Sequence, residues 1–143
     1  MIEVRAEVTV RRPPSEVFAY LADMANNPDW QKGMRTCRWT SEPPLRLGST
    51  YDQVARFLGR EIVSSFQVTE FEDGSLIRIR STAGMPLDIT RRVEADGRGG
   101  SVVTAVVRGD ASGVIRLADP LTRVIVGRSV RADYQRLKVS LDA

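Results

Sequence analysis

The sequence lacks histidine altogether and has a single cysteine, Cys37. Without histidine it cannot form a Ser-His-Asp or Cys-His catalytic group, or the imidazole-ligated zinc and iron sites of many enzymes. One cysteine also excludes an intrachain disulfide and a thiolate metal cluster, which favours a cytoplasmic protein. A carboxylate-only Mg²⁺ or Ca²⁺ site stays open, but no EF-hand-like loop is present. We therefore expect no metal and no cofactor.

Signals for nucleotides, membranes and nucleic acids are also missing. There is no Walker A motif, and the glycine-rich segment 96–100 joins two strand-like runs and predicts a hairpin turn. No apolar run approaches the ~20 residues of a membrane span, and charges interrupt the N-terminal segment, unlike a signal peptide. The net charge is +3, without a dense basic run interleaved with aromatic residues. We therefore expect neither a membrane span nor a nucleic-acid partner.

What the sequence does contain is a repeated alternation of apolar and polar residues. In residues 2–11, Val4, Ala6, Val8 and Val10 share one face, which predicts a half-buried strand. Similar runs, bounded by turn signals, predict strands at 36–41, 49–57, 61–70, 76–82, 87–95 and 101–108. Because the connections between successive runs are short, we expect an antiparallel meander of six to seven strands.

Two short helical segments are predicted between the first strand and the meander. Pro13-Pro14 ends the strand, and Ser15 as N-cap predicts a helix to about Ala22. Asp23 predicts the cap of a second short turn, which is expected to end before Pro28.

A third, much longer helix is predicted at the end of the sequence. From about Ala118 to Leu141 apolar residues recur mostly at three- and four-residue steps, and Asp119-Pro120 is a typical helix start. A helix of about 24 residues is roughly 36 Å long, enough to cross the whole predicted sheet.

The order of these elements, and several short motifs, resemble a known superfamily. The motifs are Val4 to Val10, Pro14-Ser15-Glu16-Val17-Phe18, Leu21-Ala22-Asp23, Asn27-Pro28-Asp29-Trp30, Gly48-Ser49-Thr50-Tyr51, Leu58-Gly59-Arg60 and Leu137-Lys138. They resemble the START-like (SRPBCC) superfamily and, within it, the polyketide cyclase/dehydrase-like branch of small bacterial proteins. The resemblance implies one α+β domain over residues 1–143 with the helix-grip fold. In that fold a curved antiparallel sheet wraps around the long C-terminal helix, and a cavity lies between them.

The resemblance leaves three function classes open. The first is binding of a hydrophobic small molecule, such as a lipid, a quinone or a polyketide-like compound, in the cavity. The second is a polyketide aromatase/cyclase or dehydratase, which would shape a bound intermediate without metal or histidine. The third is a protein-interaction module such as a chaperone activator, which would expose an apolar patch. A homodimer is left open as well.

Candidate cavity residues follow from strand parity and helix spacing, although a one-residue error in register would invert each strand face. The set comprises Trp30, Tyr51, Gln53, Phe57, Phe66, Leu87, Ile89, Arg91, Val124 and Arg128. Trp30 follows the short helices that border the cavity mouth in the family, so it is either a wall or lid residue or a plug of the core. Cys37 is predicted to be a small core residue rather than a nucleophile.

Arg91 and Arg128 are the candidate polar anchors. A buried guanidinium requires a partner, and an acidic ligand such as a carboxylate or an enolate would supply one. The alternative is that both are solvated or paired with Asp88 or Asp133. For catalysis, the sequence offers acid, base or oxyanion-stabilising groups only at Tyr51, Asp52, Asp88, Arg91 and Tyr134.

Overall fold

The computed structural model describes residues 2–57, 59–109 and 120–143, and the side chain of Phe57 lies outside the described residues. The elements are β1 Ile2–Val10, α1 Pro14–Ala22, a 3₁₀ turn Met24–Asn26, α2 Asn27–Trp30, β2 Met34–Trp39, β3 Thr50–Phe57, β4 Arg60–Glu72, β5 Leu76–Ala83, β6 Leu87–Ala95, β7 Ser101–Gly109 and α3 Pro120–Asp142. The predicted strands agree with these bounds to within about two residues.

The strands form one seven-stranded antiparallel sheet in the order β1-β7-β6-β5-β4-β3-β2. The meander runs in sequence from β2 to β7, and β1 joins its far edge by pairing with β7 from Ile2↔Gly109 to Val10↔Ser101. The sheet curls into a half-barrel, and α3 packs against it from the concave side, as the prediction of a helix-grip fold requires.

Strand alternation places the core on the concave face of the sheet. Along β1 every second residue is buried, from Ile2 to Val10, and the residues between them are exposed. The main core cluster lies towards the C-terminal end of α3, where Tyr134, Leu137 and Leu141 are buried. A smaller cluster of Ile2, Val4 and Ile62 lies on its own, with half-buried residues of α3 packed against it. The interior is therefore divided into a packed part and a less filled part.

The short helices differ in detail from the sequence-based prediction. Helix α1 begins at Pro14 with Pro13 in the cap position and no side-chain cap, so the prediction of Ser15 as N-cap is wrong. Proline at the first helical position has a suitable φ angle and lacks only an N–H that would be unpaired there. Asp23 does cap the next turn, because its Oδ1 accepts a bond from the Ala25 N–H at 3.1 Å. The chain then continues helically through Pro28, which occupies the first turn of α2, as far as Trp30.

Helix α3 is fixed at its C-terminal end. The backbone N–H of Arg11 donates to Asp142 Oδ1 at 2.7 Å, and Arg12 donates to the carbonyl oxygen of Leu141. The predicted start of this helix at residues 118 and 119 lies outside the described residues. In the part of the chain that is described, no helix is both long and apolar enough to cross a membrane.

Candidate functional site

A cavity lies between the concave face of the sheet and the first half of α3. Its apolar walls come from the sheet at Ala55, Ile62, Leu87 and Val107, from Met85 in the β5–β6 turn, and from Val126 and Val130 on α3. About 850 Å³ there is free of atoms, including the open mouth, and about 170 Å³ admits the centre of a water molecule. The space is narrow and mainly apolar, as is typical of small-molecule sites.

A few polar groups interrupt the apolar wall. They are Gln31, Gln53, Arg56, Ser64, Ser129 and Asp133. The Ser64 hydroxyl accepts a bond from the Met85 N–H at 3.1 Å and so holds the β5–β6 turn over the cavity. Desolvation by burial raises the pKa of Asp133, although its carboxylate accepts a bond from the Lys32 N–H and pairs with Arg136. Within the described ranges no group of three or more acidic, cysteine or histidine residues could hold a metal ion.

Arg91 is the most unusual residue of the interior. Its side chain is on the concave face and the residue is only 4% exposed. Its Nε donates to the Tyr134 hydroxyl at 3.0 Å, and its Cζ lies 5.1 Å from the centroid of the Trp30 ring. Its Nη1 is buried and finds no hydrogen-bond partner among the described residues. A guanidinium stays charged at any ordinary pH, so this is a buried cation with an unused donor.

Neither carboxylate considered as a partner for Arg91 pairs with it. Asp88 has the opposite parity on β6, and it accepts bonds from Arg78 at 3.0 and 2.8 Å and from Arg80 at 3.1 Å. Hydrogen bonding from Arg78 is the main reason that the pKa of Asp88 is lowered. Asp133 pairs with Arg136 instead. The alternative of an Arg91 pair with Asp88 or Asp133, or of a solvated Arg91, is therefore wrong.

Two groups near Arg91, the Tyr51 hydroxyl and the Cys37 thiol, are neutral at physiological pH. Tyr51 is buried and stacks on Phe66 with ring centroids 5.3 Å apart, and burial raises the pKa of its hydroxyl. Burial also raises the pKa of the Cys37 thiol to about 11, so that thiol stays protonated. Cys37 is a buried core residue, as predicted, and Tyr51 can act as a proton donor but not as a base.

The predicted cavity residues fall into three groups. Gln53 and Leu87 line the cavity, whereas Trp30, Tyr51, Phe66 and Arg91 are buried deeper in the core, with Ile89 half-buried between. Trp30 is 1% exposed, which matches a plug of the core rather than a lid. The role of these residues in ligand binding stays a prediction.

Val124 and Arg128 form the third group, and the structure does not bring them to the cavity. Val124 is 51% exposed and Arg128 is exposed as well. The residues of α3 that face the sheet are Val126 and Val130, which are four residues apart. Val124 and Arg128 are each offset by two residues from this pair, and residues two apart on a helix do not share a face. The sequence offers both pairs at the same four-residue spacing, and only the structure shows which of them faces the sheet. Phe57, the last candidate, has its side chain outside the described residues.

A curled antiparallel sheet gripping a long helix, with an apolar cavity between them, defines a START-like hydrophobic-ligand-binding domain. The chain belongs to the polyketide cyclase/dehydrase and lipid transport family, whose model matches residues 1–142. The search of curated proteins gave no match.

Several solved structures share this fold at low sequence identity. A START superfamily protein from Mycobacterium smegmatis is 12% identical with a TM-score of 0.83, covering 98% of this chain and 97% of that one. The protein TTHA0849 from Thermus thermophilus is 18% identical with a TM-score of 0.82, covering 97% and 96%. The major latex-like protein 151 from Panax ginseng is 8% identical with a TM-score of 0.73, also covering 97% and 96%. At these identities the likeness concerns the fold alone.

Proposed function

We propose that this protein binds a slim hydrophobic small molecule, of the lipid, quinone or polyketide-like type, in the cavity beside α3. The observation that carries the proposal is the cavity itself, which has apolar walls on both the sheet and the helix and an open mouth. Its narrow free space favours a single chain or a small ring system over a large fused ring system. We also propose a cytoplasmic location, which the single free and buried thiol supports.

Filling the cavity should remove binding. Ala55 lines the cavity opposite Ile62 on the next strand, so an indole at this position would occupy the ligand's space. We expect Ala55→Trp to weaken binding of the neutral fluorophore N-phenyl-1-naphthylamine at least about tenfold, or ~1.4 kcal/mol. The measurement is a fluorescence titration, supported by native mass spectrometry after incubation with cell extract.

The matched control for this titration is Val63→Trp. Val63 is 62% exposed on the outer face of β4, so the same indole is added to the sheet without entering the cavity. Affinity should stay at the wild-type value in this variant. Equal binding by both variants, or no binding by the wild type, would contradict the proposal.

A second candidate function is cyclisation or dehydration of a bound polyketide, and the inward-facing Arg91 favours it. In an aldol cyclisation a methylene between two carbonyls loses a proton to water, and the enolate carbon bonds to a ketone carbon as the π bond of that C=O breaks. The ketone oxygen takes up a proton, and dehydration later releases it as water together with a hydrogen from the adjacent carbon. The free Nη1 of Arg91 could stabilise the oxyanion, and the protonated Tyr51 could donate a proton. Arg91 lies four residues, or about 13 Å, beyond Leu87 along β6, so the substrate has to extend past Ile89.

Turnover of a linear poly-β-ketone thioester tests this candidate. We expect product formation that falls at least about 100-fold in Arg91→Met, since one oxyanion donor contributes about that factor. The control is Arg92→Met, because Arg92 is exposed and has the opposite parity on the same strand. Absence of turnover by the wild type, or an equal loss in both variants, would reject catalysis while leaving ligand binding in place.

A further inference from the structure

A second cleft adjoins the mouth of the cavity, and its walls are strongly basic. Of the nine residues that line it, five are cationic and none is acidic: Lys32, Arg35, Arg56, Arg128 and Arg136. We call this surface the cationic cleft. It is continuous with the cavity, because Gly33, Met34, Arg56 and Ser129 line both.

Tertiary contacts fix the backbone that carries these cations. The Arg56 N–H donates to the Gly33 carbonyl oxygen at 2.7 Å, which holds the segment before β2 against the end of β3. A Cβ at Gly33 would lie 2.9 Å from the Arg56 carbonyl oxygen, so glycine permits this close approach. On α3, Arg136 donates to the Trp30 carbonyl oxygen at 3.2 Å. Cations from three separate elements are thereby brought to one cleft.

Little negative charge offsets these cations. Asp133 lines the adjoining cavity, and its carboxylate is already engaged with Arg136 and the Lys32 N–H. Glu61 lies opposite Arg56 in the β3–β4 register. The side chains of Lys32, Arg35 and Arg128 have no ion pair or hydrogen bond to any residue in the ranges that the structure describes. Like charges held together raise the local positive potential, which an anion would relieve. Guanidinium groups are well suited to carboxylate and phosphate oxygens.

We propose that the cationic cleft binds the acidic head of an amphiphile whose apolar tail occupies the adjoining cavity. The ligand class is a single-chain molecule with a carboxylate or phosphate head. This inference rests on the proposed ligand-binding function and specifies its ligand. The shared wall of cleft and cavity sets the arrangement, because a tail between the sheet and α3 leaves its head beside Arg56 and Ser129.

The test compares dodecyl phosphate with neutral dodecanol as competitors of bound N-phenyl-1-naphthylamine. We expect the wild type to bind the phosphate at least about tenfold more tightly than the alcohol. The triple variant Lys32→Gln, Arg35→Gln, Arg128→Gln should lower this ratio to within about threefold. The control triple variant Arg46→Gln, Arg92→Gln, Arg98→Gln removes the same charge from exposed positions elsewhere, and it should keep the wild-type ratio.

The outcomes separate this inference from the proposed function. If dodecanol and dodecyl phosphate bind equally to the wild type, or if both triple variants lose the preference alike, the acidic-head inference is wrong and the cavity proposal stands. If neither compound displaces the fluorophore, the cavity proposal fails and this inference fails with it.

Two further experiments measure binding of inorganic phosphate and of phosphatidylglycerol vesicles. Tight binding of inorganic phosphate alone would assign the cleft to a free anion. If the Lys32→Gln, Arg35→Gln, Arg128→Gln variant loses vesicle binding but keeps the dodecyl phosphate preference, the cleft would be assigned to a membrane surface. Either result would overturn the inference of an amphiphile.

Discussion

Replacing Gly84 by alanine should lower the free energy of unfolding by about 3 kcal/mol, the largest loss we expect from adding one methyl group. Gly84 has a φ angle of +86°, which costs any other residue about 1–2 kcal/mol. Its Cβ would also lie 2.3 Å from the Val63 carbonyl oxygen and 2.5 Å from the Ser64 hydroxyl. The backbone of the β5–β6 turn would therefore have to move away from β4. Urea denaturation measures the change.

Gly97→Ala is the matched control for this substitution. Gly97 has a similar φ angle of +81°, but nothing lies within 4 Å of the added Cβ. We expect it to lose only about 1 kcal/mol, from the backbone conformation alone. Equal losses at both glycines would mean that the contact with β4 is unimportant. Because Ser64 also holds Met85, Gly84→Ala should weaken fluorophore binding as well, whereas Gly97→Ala should not.

Replacing Arg91 by methionine should raise the free energy of unfolding by about 1–3 kcal/mol, although most substitutions at buried positions lower it. The guanidinium is buried without a carboxylate partner, and burial raises the pKa of the neighbouring Tyr51 hydroxyl and Cys37 thiol, so neither provides a negative charge at neutral pH. Methionine has a similar length and would fill the same space without the cost of desolvating a charge. Chemical denaturation at pH 7 is the measurement.

Two comparisons define what this gain would mean. Arg92→Met on the exposed side of β6 should change stability by less than about 0.5 kcal/mol. Tyr134→Phe should be destabilising by about 1–3 kcal/mol, because Arg91 would lose the hydroxyl that accepts its Nε–H. A loss of stability in Arg91→Met would show that the cation contributes to the core. A gain would indicate that the charge is retained for binding or catalysis at the expense of stability.

Most of the site's framework could be predicted from the sequence, and the exceptions have identifiable causes. Alternation on β6 correctly placed Leu87, Ile89 and Arg91 on one face, because a strand has a strict period of two. The prediction that Val124 and Arg128 line the cavity was wrong, because α3 has apolar residues on more than one side and its periodicity does not single out one face. Valine at 51% exposure is ordinary on a protein surface, and nothing local distinguishes it from Val126.

The sequence by itself determined the fold class, because hydrophobic periodicity, turn residues and short connections act locally and are written into consecutive residues. Tertiary structure alone decided how the charges are used. Arg91 hydrogen-bonds to Tyr134, which is 43 residues away in the sequence. Asp88 on β6 pairs with Arg78 on the neighbouring strand β5, and basic side chains from three elements line one cleft. A charged residue looks the same in a sequence whether it is solvated, paired or buried, and only its long-range neighbours determine which of these holds.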